Sequence, residues 1–323
     1  MSTSSPELAA QLAAASSHLQ QVRTEIARVI VGQGDLIHRL LVSLVARGHV
    51  LLEGLPGLAK TASVSALAQA THCQFSRIQF TPDLLPGDIT GSLIYDPLKG
   101  TYSTRTGPIF ANLVLADEIN RAPSKVQSAL LEAMQERRVS LGDTTFELGP
   151  RFLVAATQNP LEQEGTHPLP EAQWDRFLFK VRVRSVSAEA ELSVLTSEWN
   201  ELPTEPLLLD AEELLALRAA AAQVHIDERL LRYVVELART TRGEGTSSHP
   251  LRYGVSTRGT LALRDAARTK AILDGRHYVH LEDLHDLIES VWAHRIGLTY
   301  EVLAEGESAE SVLQKILRTV PAP

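Results

Sequence analysis

The sequence predicts an α/β domain built on a parallel sheet, followed by a smaller domain that is all helical. Three features support this fold: short apolar runs separated by helical segments, a Gly-rich turn after the first run, and helical periodicity towards the C-terminus. Such short runs are typical of strands that are buried on both faces of a parallel sheet. The predicted strands are His49–Glu53, Phe75–Phe80, Leu113–Ala116, Phe152–Thr157 and Phe177–Val183.

Composition also suggests where the two domains meet. Residues 7–46 are rich in Ala and Leu and read as helical on either side of a break at Ile30–Gln33. The segment Asn200–Pro206 is rich in Pro and Glu, which is typical of a linker. We therefore expect the first domain at residues 1–203 and a helical lid domain at residues 207–320.

The Gly-rich turn has the composition of a phosphate-binding loop. It comprises Gly54, Leu55, Pro56, Gly57, Leu58, Ala59, Lys60 and Thr61. The glycines let backbone N–H groups point at phosphate oxygens, Lys60 supplies a positive charge, and the hydroxyl of Thr61 suits Mg²⁺. Ala59 stands where the strict motif has Gly, so easy access to positive φ is given up. A plain turn between strand and helix is the alternative explanation of this segment.

Two acids end the next strongly apolar strand. Asp117 and Glu118 follow Leu113–Ala116, and ligands bind beyond the carboxyl ends of such strands, so both motifs point to one crevice. We expect Asp117 to hold Mg²⁺ through water and Glu118 to orient and deprotonate a water molecule. An acidic helix cap after a core strand is the alternative, and the pairing with the lysine loop disfavours it.

Three further side chains are candidates for the same chemistry. Asn159 follows the strand Phe152–Thr157, where an uncharged amide could hold a γ-phosphate or the attacking water. Arg176 precedes the last predicted strand and is either a solvated charge or an arginine finger for a neighbouring subunit. Arg121, which follows the acid pair, is the rival candidate for the finger.

Composition limits the class of protein. The chain has 323 residues with 31 basic and 39 acidic side chains, a formal net charge of −8, so extended contact with nucleic acid is not favoured. It has a single cysteine, which excludes an internal disulfide. We expect a cytoplasmic protein without membrane insertion, because no apolar run reaches the length of a bilayer span and no leader is evident. The eleven histidines show no zinc-ligand spacing.

The order of these motifs resembles that of the AAA+ ATPases, and within them of the MoxR family, over roughly residues 20 to 320. The segments that carry the resemblance are Val31–Gln33, Gly54–Thr61, Phe80–Gly91, Asp117–Pro123, Gln158–Pro160 and Leu169–Phe177. The resemblance implies an αβα sandwich that holds ATP or ADP with Mg²⁺, followed by a small helical lid. The Ala59 form of the loop fits this family, and it leaves the affinity for nucleotide open.

The resemblance also implies roles that the residues alone do not. Val31, Gly32 and Gln33 would lie beside the adenine base, and Arg258, in the first turn of a lid helix, would reach the γ-phosphate. The protein would form a homo-oligomeric ring, most often a hexamer, and hydrolyse ATP to remodel a client. The typical client carries a von Willebrand factor A domain. A helix break at Gly32 and a surface salt bridge at Arg258 are the structural alternatives.

Two segments outside the phosphate motifs suggest contact with a client. Phe80–Gly91 is rich in Pro and Gly, and by resemblance it would face the central pore of the ring. Val139–Leu148 alternates about a Gly-Asp turn, which predicts a β-hairpin. Both insertions also occur together in magnesium chelatases and replicative helicases. A chelatase-like motor subunit and a nucleotide-gated scaffold with little turnover are therefore kept as alternative functions, and each segment could also be an ordinary surface excursion.

Overall fold

The computed structural model describes residues 6–98, 100–160, 166–196, 211–243 and 250–323. The chain divides into two compact units, and the larger one comprises Gln21–Phe177 and Val181–Leu215. The smaller unit comprises Met1–Gln20, Leu178–Lys180 and Ala216–Pro323. The predicted first domain differs from this division, because it included the first 20 residues, which belong to the smaller unit. The predicted linker Asn200–Pro206 lies outside the described residues.

Helices and strands alternate through most of the larger unit, and the elements of both units are numbered together in chain order. The strands are β1 (Val50–Glu53), β2 (Phe75–Gln79), β3 (Gly91–Asp96), β4 (Thr101–Thr106), β5 (Leu113–Asp117), β6 (Arg138–Leu141), β7 (Thr144–Glu147), β8 (Leu153–Gln158), β9 (Phe179–Arg182), β10 (Leu251–Tyr253) and β11 (Gly297–Leu298). The helices are α1 (Pro6–Val29), α2 (Gly34–Val45), α3 (Lys60–Ala70), α4 (Pro86–Thr90), α5 (Ser124–Glu136), α6 (Glu171–Trp174), α7 (Ala188–Thr196), α8 (Ala211–Gln223), α9 (Glu228–Thr241), α10 (Thr257–Leu273), α11 (Leu281–Trp292), α12 (Tyr300–Ala304) and α13 (Ala309–Thr319).

A five-stranded sheet forms the centre of this fold, in the order β2-β5-β8-β1-β9. The pairs β2–β5, β5–β8 and β1–β8 are parallel, which confirms the predicted parallel sheet. The central strands are apolar because both of their faces are covered: Leu113–Ala116 of β5 is fully buried. All five predicted strands exist, and the strand that was predicted to end at Phe80 ends one residue earlier.

A buried histidine, His49, lies at the amino end of strand β1 and links neighbouring elements through hydrogen bonds. The Nε2 of His49 donates to the carbonyl oxygen of Met134 at 3.1 Å, and its Nδ1 accepts from the amide of Val154 at 3.0 Å. Burial lowers the pKa of His49 to about 3, and the nearby Arg137 acts in the same direction. A neutral imidazole therefore ties α5 and β8 to the residue that precedes β1.

Two β-hairpins project from the larger unit. The hairpin β6–β7, with Val139 opposite Phe146, confirms the one predicted over Val139–Leu148. The hairpin β3–β4 was not predicted, and its register places Gly91 opposite Thr106. The Pro- and Gly-rich segment Phe80–Gly91 contains the short helix α4.

The smaller unit is mainly helical over its described residues, as predicted. Strands β10 and β11 form a short antiparallel pair that the helical prediction did not include. The helices α10 and α11 are joined through Asp283, a buried carboxylate that accepts two hydrogen bonds of 2.6 Å from Arg276. Within the described residues, no helix combines the length and apolar character that a bilayer span requires.

Candidate active site

The phosphate-loop segment turns sharply between β1 and α3. Gly57 has φ of 83°, and no atom lies within 4 Å of the Cβ that a larger residue would add there, so the left-handed backbone and not a lack of space favours glycine at this position. Gly54 is different, because a Cβ would lie 2.7 Å from the carbonyl oxygen of Val183. One glycine thus provides the curvature and the other allows close packing beside β9.

The backbone conformation of Ala59 differs from the one expected for an alanine. The sequence suggested that alanine gives up positive φ, yet Ala59 has φ of 58° and ψ of 19°, the left-handed conformation. The turn therefore keeps the geometry of a glycine-containing loop at an energetic cost of about 1–2 kcal/mol for an L-residue. Lys60 follows as the first residue of α3.

Lys60 lies close to the two acids that the sequence paired with it. Its Nζ donates to the carbonyl oxygens of Gly54 at 2.6 Å and Leu55 at 2.8 Å. Burial lowers the pKa of Lys60, and the carboxylates of Asp117 and Glu118 act in the opposite direction by raising it. The predicted lysine, aspartate and glutamate therefore share one electrostatic environment.

The strand register explains how these groups meet. Gln79 at the end of β2 is opposite Asp117 at the end of β5, and Gln158 at the end of β8 is opposite Glu53 at the end of β1. Four parallel strands thus end in polar residues along one edge of the sheet. This is the edge at which open α/β sheets bind their ligands.

Both carboxylate oxygens of Asp117 are engaged. The hydroxyl of Thr157 donates to Oδ1 at 2.5 Å, and the Nη2 of Arg77 donates to Oδ2 at 2.6 Å. Thr157 comes from β8 and Arg77 from β2, so each neighbouring strand holds one oxygen. The Asp117 side chain is 14% exposed, which leaves it accessible from the crevice.

Glu118 is held in an unusual backbone conformation. It has φ of 58° and ψ of 50°, and its amide donates to the hydroxyl of Thr157 at 2.9 Å. Its Oε2 accepts from the Nε2 of Gln79 at 2.9 Å and from the Nη1 of Arg121 at 2.9 Å. Strain of this kind at a polar residue persists where the surrounding structure fixes it, and it is frequent at functional sites.

The sequence analysis missed Arg77, Gln79 and Thr157, which hold the two acids. One signal was available: the alternation in Phe75–Phe80 places Arg77 and Gln79 on the same face of β2. Their contact with the acids depends on β2 lying next to β5, and that strand order follows from the tertiary structure.

Asn159 and Gln158 complete the polar edge. Asn159 follows β8 directly and is 9% exposed. The side-chain oxygen of its neighbour Gln158 is buried and makes no hydrogen bond within the described residues. A buried acceptor without a donor is costly and is frequently satisfied by a ligand or water.

The predicted adenine-contacting turn has a clear packing role. Gly32 has φ of 77°, and a Cβ there would lie 2.7 Å from the side chain of Val186. Gln33 is buried and its Nε2 donates to the carbonyl oxygen of Arg184 at 3.0 Å. Val31 is half-buried beside them. The turn therefore fixes α2 against the segment after β9, and its role towards adenine stays a prediction.

The three predicted arginines lie in different environments. The Nη1 of Arg176 donates to the carbonyl oxygen of Leu131 at 2.7 Å, and Arg176 lines a cleft of about 250 Å³ beside α5. Arg121 forms an ion pair with Glu118 of its own chain. Arg258 is exposed in the first turn of α10, in the smaller unit, where Ser256 caps the helix.

These residues fit a nucleotide and Mg²⁺. The Gly-rich turn suits phosphate, and Lys60 is cationic. Asp117 and Thr61 supply a carboxylate and a hydroxyl, which are oxygen ligands that Mg²⁺ prefers. No group of three or more His, Cys, Asp or Glu side chains within the described residues could form a denser metal site. This small set of protein ligands fits Mg²⁺, because Mg²⁺ usually keeps several water ligands and binds one or two carboxylates together with the phosphates of a substrate.

Two parts of the chain match known protein families. Residues 49–179 match the family described as "ATPase family associated with various cellular activities (AAA)", and residues 246–316 match the AAA lid domain. The first match includes β1, β5 and β8 with the polar residues at their ends. Fold and site thus define an AAA-type ATPase.

Similar proteins narrow the class further. Chaperone MoxR1 of Mycobacterium tuberculosis is 46% identical over 97% of this chain and 84% of that protein. Protein MoxR of Paracoccus denitrificans is 33% identical over 91% of this chain and 93% of that protein. A crystal structure of a proposed ATPase from Cytophaga hutchinsonii superposes with a TM-score of 0.88 at 43% identity, covering 97% of each chain. The chain belongs to the MoxR family of AAA+ ATPases.

Proposed function

We propose that the protein hydrolyses ATP to ADP and phosphate in a Mg²⁺-dependent reaction. The observation that carries this proposal is the convergence of Lys60, Asp117 and Glu118 at the carboxyl edge of the parallel sheet. Lys60 is close enough to both carboxylates for each of them to raise its pKa. Phosphoryl transfer needs mainly positioning and charge neutralisation, and these three groups supply both.

Each residue has a separate task in this reaction. The turn Gly54–Thr61 holds the phosphates through its N–H groups, and Lys60 neutralises their charge. Mg²⁺ bound at Asp117 and Thr61 would neutralise the β- and γ-phosphates. Glu118 orients and deprotonates the attacking water, and Asn159 holds the γ-phosphate or that water. Arg258 contributes from the lid, and Val31–Gln33 contacts adenine.

We propose further that the site is completed between subunits of a ring, with the hexamer as the expected form. Arg176 donates to Leu131 of α5 and lines a cleft with Glu132 and Gln173, and no residue of the phosphate loop lines that cleft. Arg121 is engaged by its own Glu118 and is the weaker candidate for the finger. An arginine from a neighbour can neutralise the charge that develops in phosphoryl transfer.

The hydrolysis would serve to remodel a client protein. The name of the similar protein Chaperone MoxR1 supports a chaperone role. The client class expected from the family resemblance has a von Willebrand factor A domain. The hairpin β3–β4 offers a contact surface, because Tyr95 and Tyr102 are 52% and 69% exposed and Leu98 is 95% exposed. This hairpin replaces Phe80–Gly91 as the proposed contact element. The chelatase-like alternative has no comparable support among the named similar proteins.

Substitution of Glu118 tests the proposal. Glu118→Gln should bind ATP normally and hydrolyse it at least about a hundredfold more slowly, as for a lost general base. Lys60→Ala should instead weaken binding, because the phosphates lose their cation. Binding is measured by titration of a fluorescent nucleotide, and turnover by phosphate release. Unchanged turnover in Glu118→Gln would reject the assignment, and negligible wild-type turnover would favour the scaffold.

A further inference from the structure

Strand β2 places a cation directly on the carboxylate that we assign to the metal. We propose that Arg77 competes with Mg²⁺ for Asp117 and so sets how strongly nucleotide binding depends on the metal; this inference rests on the metal role of Asp117 in the proposed function. Arg77 is a positioning residue in this scheme. It acts on the nucleotide through Asp117 and through the charge of the site.

The competition follows from the contacts of one oxygen atom. The Oδ2 of Asp117 accepts from the Nη2 of Arg77 at 2.6 Å and from its Nε at 3.1 Å. The other oxygen, Oδ1, accepts from Thr157 at 2.5 Å. A guanidinium that uses two N–H groups on one oxygen occupies the lone pairs that a hydrated metal would address. The two cations also repel each other.

Arg77 is the more exposed partner of this pair. β2 is an edge strand of the sheet, and the Arg77 side chain is 51% exposed whereas that of Asp117 is 14% exposed. Thr157 fixes Asp117 from β8, so the aspartate keeps its place when the guanidinium swings towards solvent. An ion pair with one partner half exposed to water is weakened by the solvent, so a bound metal could displace it.

The surrounding contacts extend the effect to the second acid. The Nη2 of Arg77 also donates to the Oε1 of Gln79 at 3.1 Å, and Gln79 donates to Glu118 at 2.9 Å. Lys60, Arg77 and Arg121 thus face two carboxylates. Removal of Arg77 would leave the acids less neutralised, which repels the phosphates when no metal is present and attracts the metal when it is.

Both effects of removing Arg77 raise one ratio, that of the nucleotide dissociation constant without metal to the dissociation constant with metal. The test measures the dissociation constant of a fluorescent ADP analogue in EDTA and in excess Mg²⁺, so that no hydrolysis interferes. Arg77→Met should raise the ratio of the EDTA value to the Mg²⁺ value at least about threefold. A Mg²⁺ titration at fixed nucleotide should also reach its midpoint at a lower concentration of metal.

Two variants serve as controls. Arg138 on β6 is similarly exposed, at 55%, and pairs with Glu136 away from the site, so Arg138→Met should keep the wild-type ratio. Arg77→Lys keeps the charge but loses the two-point contact, and its ratio should lie between those of the wild type and Arg77→Met. A ratio in Arg77→Met no higher than in Arg138→Met would overturn the inference.

Asp117→Asn separates this inference from the proposed function. If Asp117 holds the metal, Asp117→Asn should bring the ratio close to one. If it does so while Arg77→Met keeps or lowers the wild-type ratio, the competition is wrong and the metal role stands. If the wild-type protein binds the ADP analogue equally in EDTA and Mg²⁺, the metal role itself is wrong and the inference fails with it.

Discussion

At the scale of single residues, the candidate active site contains two residues with a strained backbone conformation. Among the described residues, five non-glycine residues have positive φ, and Ala59 and Glu118 are two of them. Ala59 precedes the lysine of the phosphate loop, and Glu118 is the proposed base. The fold tolerates both because neighbouring strands and helices fix the backbone on either side. We infer that geometry at these positions has been kept at the expense of stability.

The strain at Ala59 can be measured.

 Ala59→Gly should raise the free energy of unfolding by about 0.5–1 kcal/mol, because relief of the left-handed alanine outweighs the extra entropy of glycine in the unfolded chain. The matched control is Ala62→Gly, two residues into α3 from Lys60, which should lower it by about 0.5–1 kcal/mol. Denaturant unfolding of the three proteins measures both changes. A loss of stability in Ala59→Gly as large as that in Ala62→Gly would contradict the argument.

At this scale the sequence predicted the chemical groups better than their partners. Lys60, Asp117 and Glu118 stand in short motifs whose spacing is local, and the structure brings them together. Arg77 and Thr157 come from separate strands, so their contacts with Asp117 depend on which strands are neighbours. Residue type and spacing do not contain that information. The strand order supplies it only once the chain has folded.

Among the helices and strands, burial decided what could be predicted. The strands of the central sheet were found because both of their faces are apolar, as in Leu113–Ala116. Hairpin β6–β7 was found because its alternation flanks a Gly-Asp turn. Hairpin β3–β4 was missed because neither face gives an apolar pattern, and Thr101–Thr106 is exposed throughout. The pair β10–β11 is too short to give a periodic signal.

The segment before β3 is an anchor of the core. Phe80 and Ile89 are fully buried in the hydrophobic cluster beneath the sheet. Gly91 has φ of 94°, and a Cβ there would lie 2.1 Å from the carbonyl oxygen of Arg105 in β4. The exposed part of the insertion therefore begins after Gly91, and the chain before it holds the hairpin in place.

This difference in burial predicts opposite results for two aromatic residues. Phe80→Ala should lower the free energy of unfolding by about 3–5 kcal/mol, as expected for a large buried side chain. Tyr102→Ala should change it by no more than about 0.5 kcal/mol, because that ring is 69% exposed. Denaturant unfolding gives both values. Basal ATP turnover should stay near wild type in Tyr102→Ala, since the hairpin lies outside the phosphate motifs.

Two other results would change the role that we assign to the hairpin β3–β4. If Tyr102→Ala destabilised the protein as much as Phe80→Ala, the hairpin would be part of the core. If Tyr102→Ala instead lost turnover as Lys60→Ala does, the hairpin would belong to the nucleotide site. Tyr95→Ala repeats the test from the opposite strand of the same hairpin, because the rings of Tyr95 and Tyr102 lie 5.2 Å apart.

The whole molecule combines a nucleotide-binding unit with a helical unit, and both match known families. The order of the motifs was sufficient to predict this class from the sequence. The assignment of Met1–Gln20 to the smaller unit was not predictable, because it depends on contacts between residues far apart in sequence. Gln20 illustrates this, since its side chain donates to the carbonyl oxygen of Leu273.

The last prediction concerns assembly. If Arg176 acts on the nucleotide of a neighbouring subunit, turnover per subunit should rise with protein concentration as rings form. Arg176→Ala should keep its affinity for ATP and lose most hydrolysis, since such fingers are worth roughly 10³–10⁵ in rate. Mixing it with Lys60→Ala should restore part of the turnover, because Lys60→Ala still supplies the finger to an intact site. Turnover is measured by phosphate release over a range of subunit ratios.

Arg121 provides the comparison that makes this test decisive. Its guanidinium pairs with Glu118 of the same chain, so the defect of Arg121→Ala should lie within its own site and should not be restored by Lys60→Ala. If Arg176→Ala hydrolyses ATP normally while Arg121→Ala is inactive and is restored by mixing, the finger is Arg121. If isolated monomers already reach the full rate, the site is complete within one chain, and the proposed sharing between subunits is wrong.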